Sequence, residues 1–238
     1  MDTNNVVIAG DSVLANKIQV LVAKSGLAVA VTSSNFAGSD IIIEALTAST
    51  ADRKQILTLA GKQASEKAIL ATTSPVYITE LAAETKNPER FAGLHFTFNP
   101  IQDKFLVQIV SCLETSAETI NVCKQFVEKI GGTAVIVQDS PGLIVDRVMA
   151  LLINEAATMY AAGLAGIEDI DRITRLCLNW PMGPFEFADA IGIDNVVATL
   201  DVLSQSGYQI IPCRILKGMV AMGKLGKKTG KGFYTYNQ

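Results

Sequence analysis

Apolar residues follow two different rhythms along this chain. Up to about residue 139, short continuous apolar runs alternate with stretches whose apolar positions recur at helical spacing. Val6-Val7-Ile8-Ala9, residues 27–32, residues 40–46 with three consecutive isoleucines, residues 68–73 and the run leading to His95 read as strands. Residues 16–24, 51–64 and 78–85 read as helices, the first stopped by Gly26. Two further strands, 105–111 and 133–138, flank a helix predicted over 116–130. Strands of unbroken hydrophobicity separated by helices imply a mostly parallel sheet covered on both faces.

After Pro141 the rhythm changes. Helices are predicted over 145–162, 167–178 and 195–204, and no strand signal appears before the tail. Glycine- or proline-rich turns stand at Trp180-Pro181-Met182-Gly183-Pro184 and over 223–232. The pattern divides the chain into an α/β domain over 1–139 and an all-helical domain over 140–238.

Composition narrows the functional classes. Apolar residues make up 49% and charged residues 18% of the 238, which describes a globular chain rather than a disordered one. With a formal net charge of -3 and no basic block, nucleic acid and anionic membrane surfaces are not expected partners. No apolar run approaches a membrane span, and Asp2-Thr3-Asn4-Asn5 leaves no room for a signal peptide before the first strand. Cys112, Cys123, Cys177 and Cys213 form no CxxC pair, and a single histidine cannot complete a zinc site. They read as reduced thiols, and the expected location is cytoplasmic.

That histidine, His95, is the one imidazole available for proton transfer near neutrality. It lies in Phe91-Ala92-Gly93-Leu94-His95-Phe96, followed by Asn99-Pro100. Further along come Ser140-Pro141-Gly142-Leu143-Ile144-Val145 with Arg147, Asn154-Glu155-Ala156, and Pro181-Met182-Gly183-Pro184-Phe185-Glu186 before Asp189 and Gly192-Ile193-Asp194. The tail reads Leu225-Gly226-Lys227-Lys228-Thr229-Gly230-Lys231-Gly232-Phe233-Tyr234. Order and approximate spacing of these blocks resemble the 3-hydroxyacyl-CoA dehydrogenases over nearly the whole chain.

The resemblance implies a Rossmann-type doubly wound NAD-binding domain, here shortened, followed by a helical domain that forms a homodimer. It also implies oxidation of the 3-hydroxyl of an acyl-CoA to a ketone, with hydride transfer to NAD and His95 as general base. Ser74 matches the family's substrate-positioning serine. The family's glutamate partner of the histidine falls at Gln108, and its asparagine at the start of the helical domain falls at Asp146. Asp146 is either a replacement carboxylate for His95 or a cap on the helix that follows.

At the cofactor end, Gly10 keeps the first fingerprint glycine, while Ser12 and Ala15 replace the other two. Ser12 is expected to place a side chain where backbone should approach the pyrophosphate. The second strand ends in Thr32-Ser33-Ser34, without the acid that holds the adenosine ribose. Glu44 is retained, but Ala48 stands where the family has a glutamate near the nicotinamide. A segment normally present between Ser34 and Asp40, which contributes to coenzyme A binding, is missing. Lys17, Lys24 and Arg53 are either phosphate contacts or solvated surface charges, and Lys228 is either a cofactor contact or part of a basic turn. Thr97 reads as one extra residue in the His95 strand, which predicts a bulge. Two functions stay open: the NAD-dependent dehydrogenase, and a non-catalytic dimeric homologue that has lost its cofactor.

Overall fold

A computed structural model describes residues 4–46, 49–74, 78–98 and 104–236. The chain divides into two compact units, Met1–Ser140 and Pro141–Gln238.

The first unit is a seven-stranded sheet of β1 (Asn5–Ala9), β2 (Ala28–Val31), β3 (Ile41–Glu44), β4 (Ile69–Thr72), β5 (Phe91–Phe98), β6 (Phe105–Ser111) and β7 (Thr133–Gln138). The spatial order is β2-β1-β3-β4-β5-β6-β7, and every pairing is parallel except β5 with β6. The chain leaves β2 and returns on the other side of β1, which creates the topological switch where open α/β sheets bind ligands. Helices α1 (Val13–Lys24), α2 (Thr50–Gln63), α3 (Thr79–Ala82) and α4 (Ala117–Lys129) connect the strands.

Unbroken apolar runs become the central strands because both of their faces are covered: Ile41, Ile42 and Ile43 are all fully buried. One face packs Ala15, Ile18 and Val22 of α1 and Val122, Cys123 and Phe126 of α4 against Leu94, Phe96, Val107 and Ile109. Burial among these side chains pushes the Cys123 thiol up to about 12, so it behaves as a small apolar residue and not as a nucleophile.

The expected bulge is absent. Pairing of β5 with β6 runs without interruption from Gly93↔Val110 to Phe98↔Phe105. Thr97 takes an ordinary place opposite Leu106. The helix predicted over 78–85 is also shorter than its apolar pattern, spanning Thr79–Ala82. The Thr85 hydroxyl donates to Ala82 O at 2.7 Å and closes the chain on itself there.

The second unit holds α5 (Val145–Ala161), α6 (Ile167–Leu178), α7 (Pro184–Ile191), α8 (Ile193–Gln205) and α9 (Arg214–Ala221). Its core gathers Ile153, Ala157, Phe185, Ile193, Leu200 and Leu216. Helices α7 and α9 were not apparent from hydrophobic spacing, each being only eight residues long. Among the described residues no helix is long and apolar enough to cross a membrane.

Candidate active site

Alternation along strands puts residues two apart on the same side of a sheet. In the β5–β6 ladder His95 lies directly opposite Gln108, so their side chains share a face. That face is opposite the one carrying Leu94 and Phe96, which pack toward α1 and α4. In the β4–β5 ladder Thr72 pairs with Gly93; His95 stands two residues past Gly93 within β5, and Ser74 two residues past Thr72, just beyond the end of β4. His95 and Gln108 therefore share a row, and Ser74, from a distant part of the sequence, lies past the end of the strand beside them. Ser74 and Gln108 are 2% and 1% exposed, while His95 is half-buried, so the base is the one of the three that remains reachable.

A second row lies one step back on the same face. Ala9, Glu44, Thr72, Gly93 and Val110 follow one another across five strands by direct pairing. Glu44 is fully buried and held by Arg53, whose Nη1 reaches both carboxylate oxygens at 2.7 and 2.8 Å. Leu46 N donates to Oε1 at 2.7 Å and the Thr72 hydroxyl to Oε2 at 2.6 Å. Arg53 is thus neither a surface charge nor an open phosphate contact. The sequence signal was available: a glutamate ending an apolar strand must find a cation or neutralise, and Arg53 follows nine residues later.

The turn between β1 and α1 keeps the geometry that a dinucleotide requires. Gly10 has a φ of 151°, and a Cβ there would come within 2.5 Å of Ala45 O, so only glycine lets β1 pass so close to the end of β3. Ser12 caps α1 and turns inward. Its hydroxyl donates to Ala45 O at 2.6 Å and accepts Ala15 N at 3.0 Å. The expected obstruction of a phosphate is therefore not what this side chain does. The first-turn amides of Val13 and Leu14 have no acceptor within the helix, and a helix N-terminus favours an anion. Ala15 fits the core with no exposed surface. These residues fit the pyrophosphate of NAD.

The ribose end differs. The Thr32 hydroxyl accepts Ser34 N at 3.2 Å in a local turn. The next acid, Asp40, holds Asn4 N and Asn5 N, both at 2.9 Å. Lys17 stands 4.9 Å over the Phe98 ring. Ala48, Asn99 and Pro100 lie outside the described residues.

In the second unit, Asp146 sits inside the first turn of α5 rather than at its cap, which is Ile144. Lys228 donates to Asp194 Oδ2 at 2.6 Å from a short 3-10 turn, Lys227–Thr229. Two buried carboxylates dominate this unit. Asp171 accepts Phe185 N at 2.8 Å, Glu186 N at 3.1 Å and the Tyr234 hydroxyl at 2.8 Å. Asp189 accepts Phe233 N and Tyr234 N, both at 2.9 Å, and the Tyr236 hydroxyl at 3.0 Å. Burial pushes the Asp171 carboxyl above its usual range, against the amide and hydroxyl bonds that pull it down. Burial, then the neighbouring carboxylate, likewise raises the phenols of Tyr234 and Tyr236. Sequence reading singled out the tail motif without finding what it wraps around: a Cβ on Gly232 would overlap the Asp189 carboxylate. Among the described residues no cluster could hold a metal ion.

A doubly wound sheet with a helix N-terminus at its first turn defines a Rossmann-type α/β unit. The family described as 3-hydroxyacyl-CoA dehydrogenase matches in both parts, its NAD binding domain at residues 15–140 and its C-terminal domain at 142–236. The chain belongs to the 3-hydroxyacyl-CoA dehydrogenase family. It is 40% identical over 205 residues to the probable 3-hydroxybutyryl-CoA dehydrogenase of Bacillus subtilis, covering 84% of this chain and 70% of that protein. A 3-hydroxybutyryl-CoA dehydrogenase of Clostridioides difficile is 39% identical, with 84% of this chain and 72% of that protein covered. Among solved structures, an (S)-3-hydroxybutyryl-CoA dehydrogenase from Ralstonia eutropha superposes with a TM-score of 0.91 at 28% identity, covering 100% of both chains.

Proposed function

We propose that this chain is an NAD-dependent 3-hydroxyacyl-CoA dehydrogenase acting on the 3-hydroxyl of an acyl-CoA, with 3-hydroxybutyryl-CoA as the substrate to test first. The observation that carries the reading is the pairing of His95 with Gln108 on one face of the sheet, with Ser74 just past the end of the neighbouring strand β4. NAD, when bound, supplies the hydride acceptor. The amides at the start of α1, beside Gly10, Ser12 and Ala15, hold its pyrophosphate, with Thr32 toward the ribose.

In this mechanism His95 removes the proton from the substrate hydroxyl as hydride leaves the carbon. Ser74 donates a hydrogen bond to the substrate oxygen and fixes its direction. The Gln108 amide oxygen accepts a ring N–H and orients the imidazole, but an amide leaves the imidazolium charge uncompensated. Introducing a carboxylate by Gln108→Glu would make the supporting hydrogen bond charge-assisted, worth on the order of tenfold in kcat.

The protein acts as a homodimer through its helical unit. The support is exposed apolar side chains on two of its helices, Val148 and Leu151 on α5 and Ile173 and Leu176 on α6. The four free thiols fit a cytoplasmic location.

Calorimetric titration with NAD and NADH, followed by assay of 3-hydroxybutyryl-CoA oxidation, tests the proposal. Cofactor binding with turnover that falls at least about a hundredfold in His95→Ala is the expected result. No binding of either cofactor at millimolar concentration would return the chain to the non-catalytic alternative. Sedimentation equilibrium should show a dimer, and a monomer at high concentration would remove the quaternary part alone.

A further inference from the structure

In the Glu44–Arg53 pair the carboxylate is fully buried and the guanidinium largely so, and the pair makes no contribution to the mechanism as described so far. Replacing a buried ion pair with packed apolar residues is often neutral or stabilising, so stability alone is a poor reason for one here. Its connections are specific. Arg53 Nη2 donates to Leu46 O at 2.6 Å, while Glu44 accepts Leu46 N and the Thr72 hydroxyl. The same Thr72 oxygen accepts Ser74 N at 3.1 Å. A hydrogen-bonded path therefore runs Arg53–Glu44–Thr72–Ser74, and it joins the carboxyl ends of β3 and β4. Thr72 is fully buried, so solvent cannot substitute for either bond. Beyond Ser74 the chain is fixed again by Asp139, which accepts Ile78 N at 3.2 Å, Thr79 N at 2.9 Å and the Thr79 hydroxyl at 2.7 Å.

We propose that Glu44, Arg53 and Thr72 are positioning residues for the reaction: the buried ion pair fixes the Thr72 hydroxyl, and that hydroxyl fixes the backbone of Ser74 level with His95. Glu44 thereby acts through Ser74 rather than by touching the cofactor. The inference rests on the dehydrogenase reading above. A hydroxyl with one donor and two acceptor sites suits the relay, because Thr72 gives its proton to the carboxylate and still accepts the Ser74 amide. Misplacing a substrate-orienting group by a fraction of its bond length lowers the rate while leaving most of the binding surface intact.

The test compares Thr72→Val, Thr72→Ser and the parent protein by steady-state kinetics with NAD and 3-hydroxybutyryl-CoA. Calorimetry of NAD binding and hydrogen exchange at the Ser74 amide accompany the kinetics. Expected for Thr72→Val are a kcat lower by about tenfold to a hundredfold, an unchanged NAD dissociation constant and faster exchange at Ser74. Thr72→Ser, which keeps the hydroxyl, restores kcat. Should the valine variant not fold, Thr72→Ala carries the same comparison. Parent-like kcat in the variant lacking the hydroxyl, or a loss that appears in NAD affinity instead, overturns the positioning role while leaving the dehydrogenase reading intact. A parent protein that turns over no substrate removes that reading, and the inference with it.

Discussion

The two units of this protein bury carboxylates by different means. In the sheet unit, Glu44 is neutralised by a cation, with Arg53 in contact with both of its oxygens. In the helical unit, Asp171 and Asp189 are each surrounded by two backbone amides and a tyrosine hydroxyl. Asp171 also faces the N-terminus of α7, where the helix dipole supplies partial positive charge in place of a full one. A cation fixes a carboxylate between neighbouring strand ends, within a few residues of the pair. Amides and phenols let a carboxylate gather distant segments, since Asp189 is 44 residues from Phe233. The first arrangement sets local geometry at the functional row; the second fastens the tail to the helices.

The sharpest way to break this contrast is Arg53→Met. It leaves Glu44 buried without its cation and is expected to cost about 3–5 kcal/mol, read from urea unfolding of the sheet unit. Pairing it with Glu44→Gln should recover most of that loss. No difference between the single and double variants would mean that the pair does not behave as a buried charge. Gly232→Ala comes next, because its methyl would overlap the Asp189 carboxylate. The expected loss is about 1–3 kcal/mol, confined to the helical unit. Tyr234→Phe removes one of three donors to Asp171 and should cost about 0.5–1.5 kcal/mol in the same measurement.

Alkali separates the units most gently. Tyr234 and Tyr236 hold their protons in the folded state above the ordinary phenol value. The stability linked to these phenols is therefore fully present below about pH 10 and is lost as pH rises above it, where the unfolded chain gives up its phenolic protons first. The helical unit should melt at lower temperature with rising alkalinity, and Tyr234→Phe should flatten that slope. A slope unchanged in the variant would assign the alkaline sensitivity elsewhere.

Much of the architecture was legible because the strongest signals are local. Three adjacent isoleucines in β3 and the apolar runs of β1 and β4 announce strands buried on both faces. What escaped reading depends on partners far away in sequence. Helix α7 looked like the continuation of a turn, since its start is defined by Asp171 from α6 and by Glu186 accepting Gly183 N at 2.9 Å. Thr97, read as an extra residue, suggested a disturbed strand, yet the pairing runs unbroken through Thr97 and Leu106. At the candidate site, His95, Ser74 and Gln108 were accessible as motif positions. Their alignment was not, because strand order and register bring them together, whereas the Glu44–Arg53 pair, nine residues apart, could have been read locally. Ser12 teaches the converse: its identity departs from the fingerprint, and its rotamer determines what the departure means.

The position of β2 has a consequence for handling the protein in solution. It stands at the border of the sheet, paired with β1, and among the described residues no strand lies on its other side. Such a border is a template for a strand from another molecule, and Ala28-Val29-Ala30-Val31 carries no charge to repel one. Brevity is the protection that remains: four residues give an incoming chain too few bonds to hold. Changes that extend β2 toward Ser33 and Ser34 would remove that safeguard and favour self-association at high concentration.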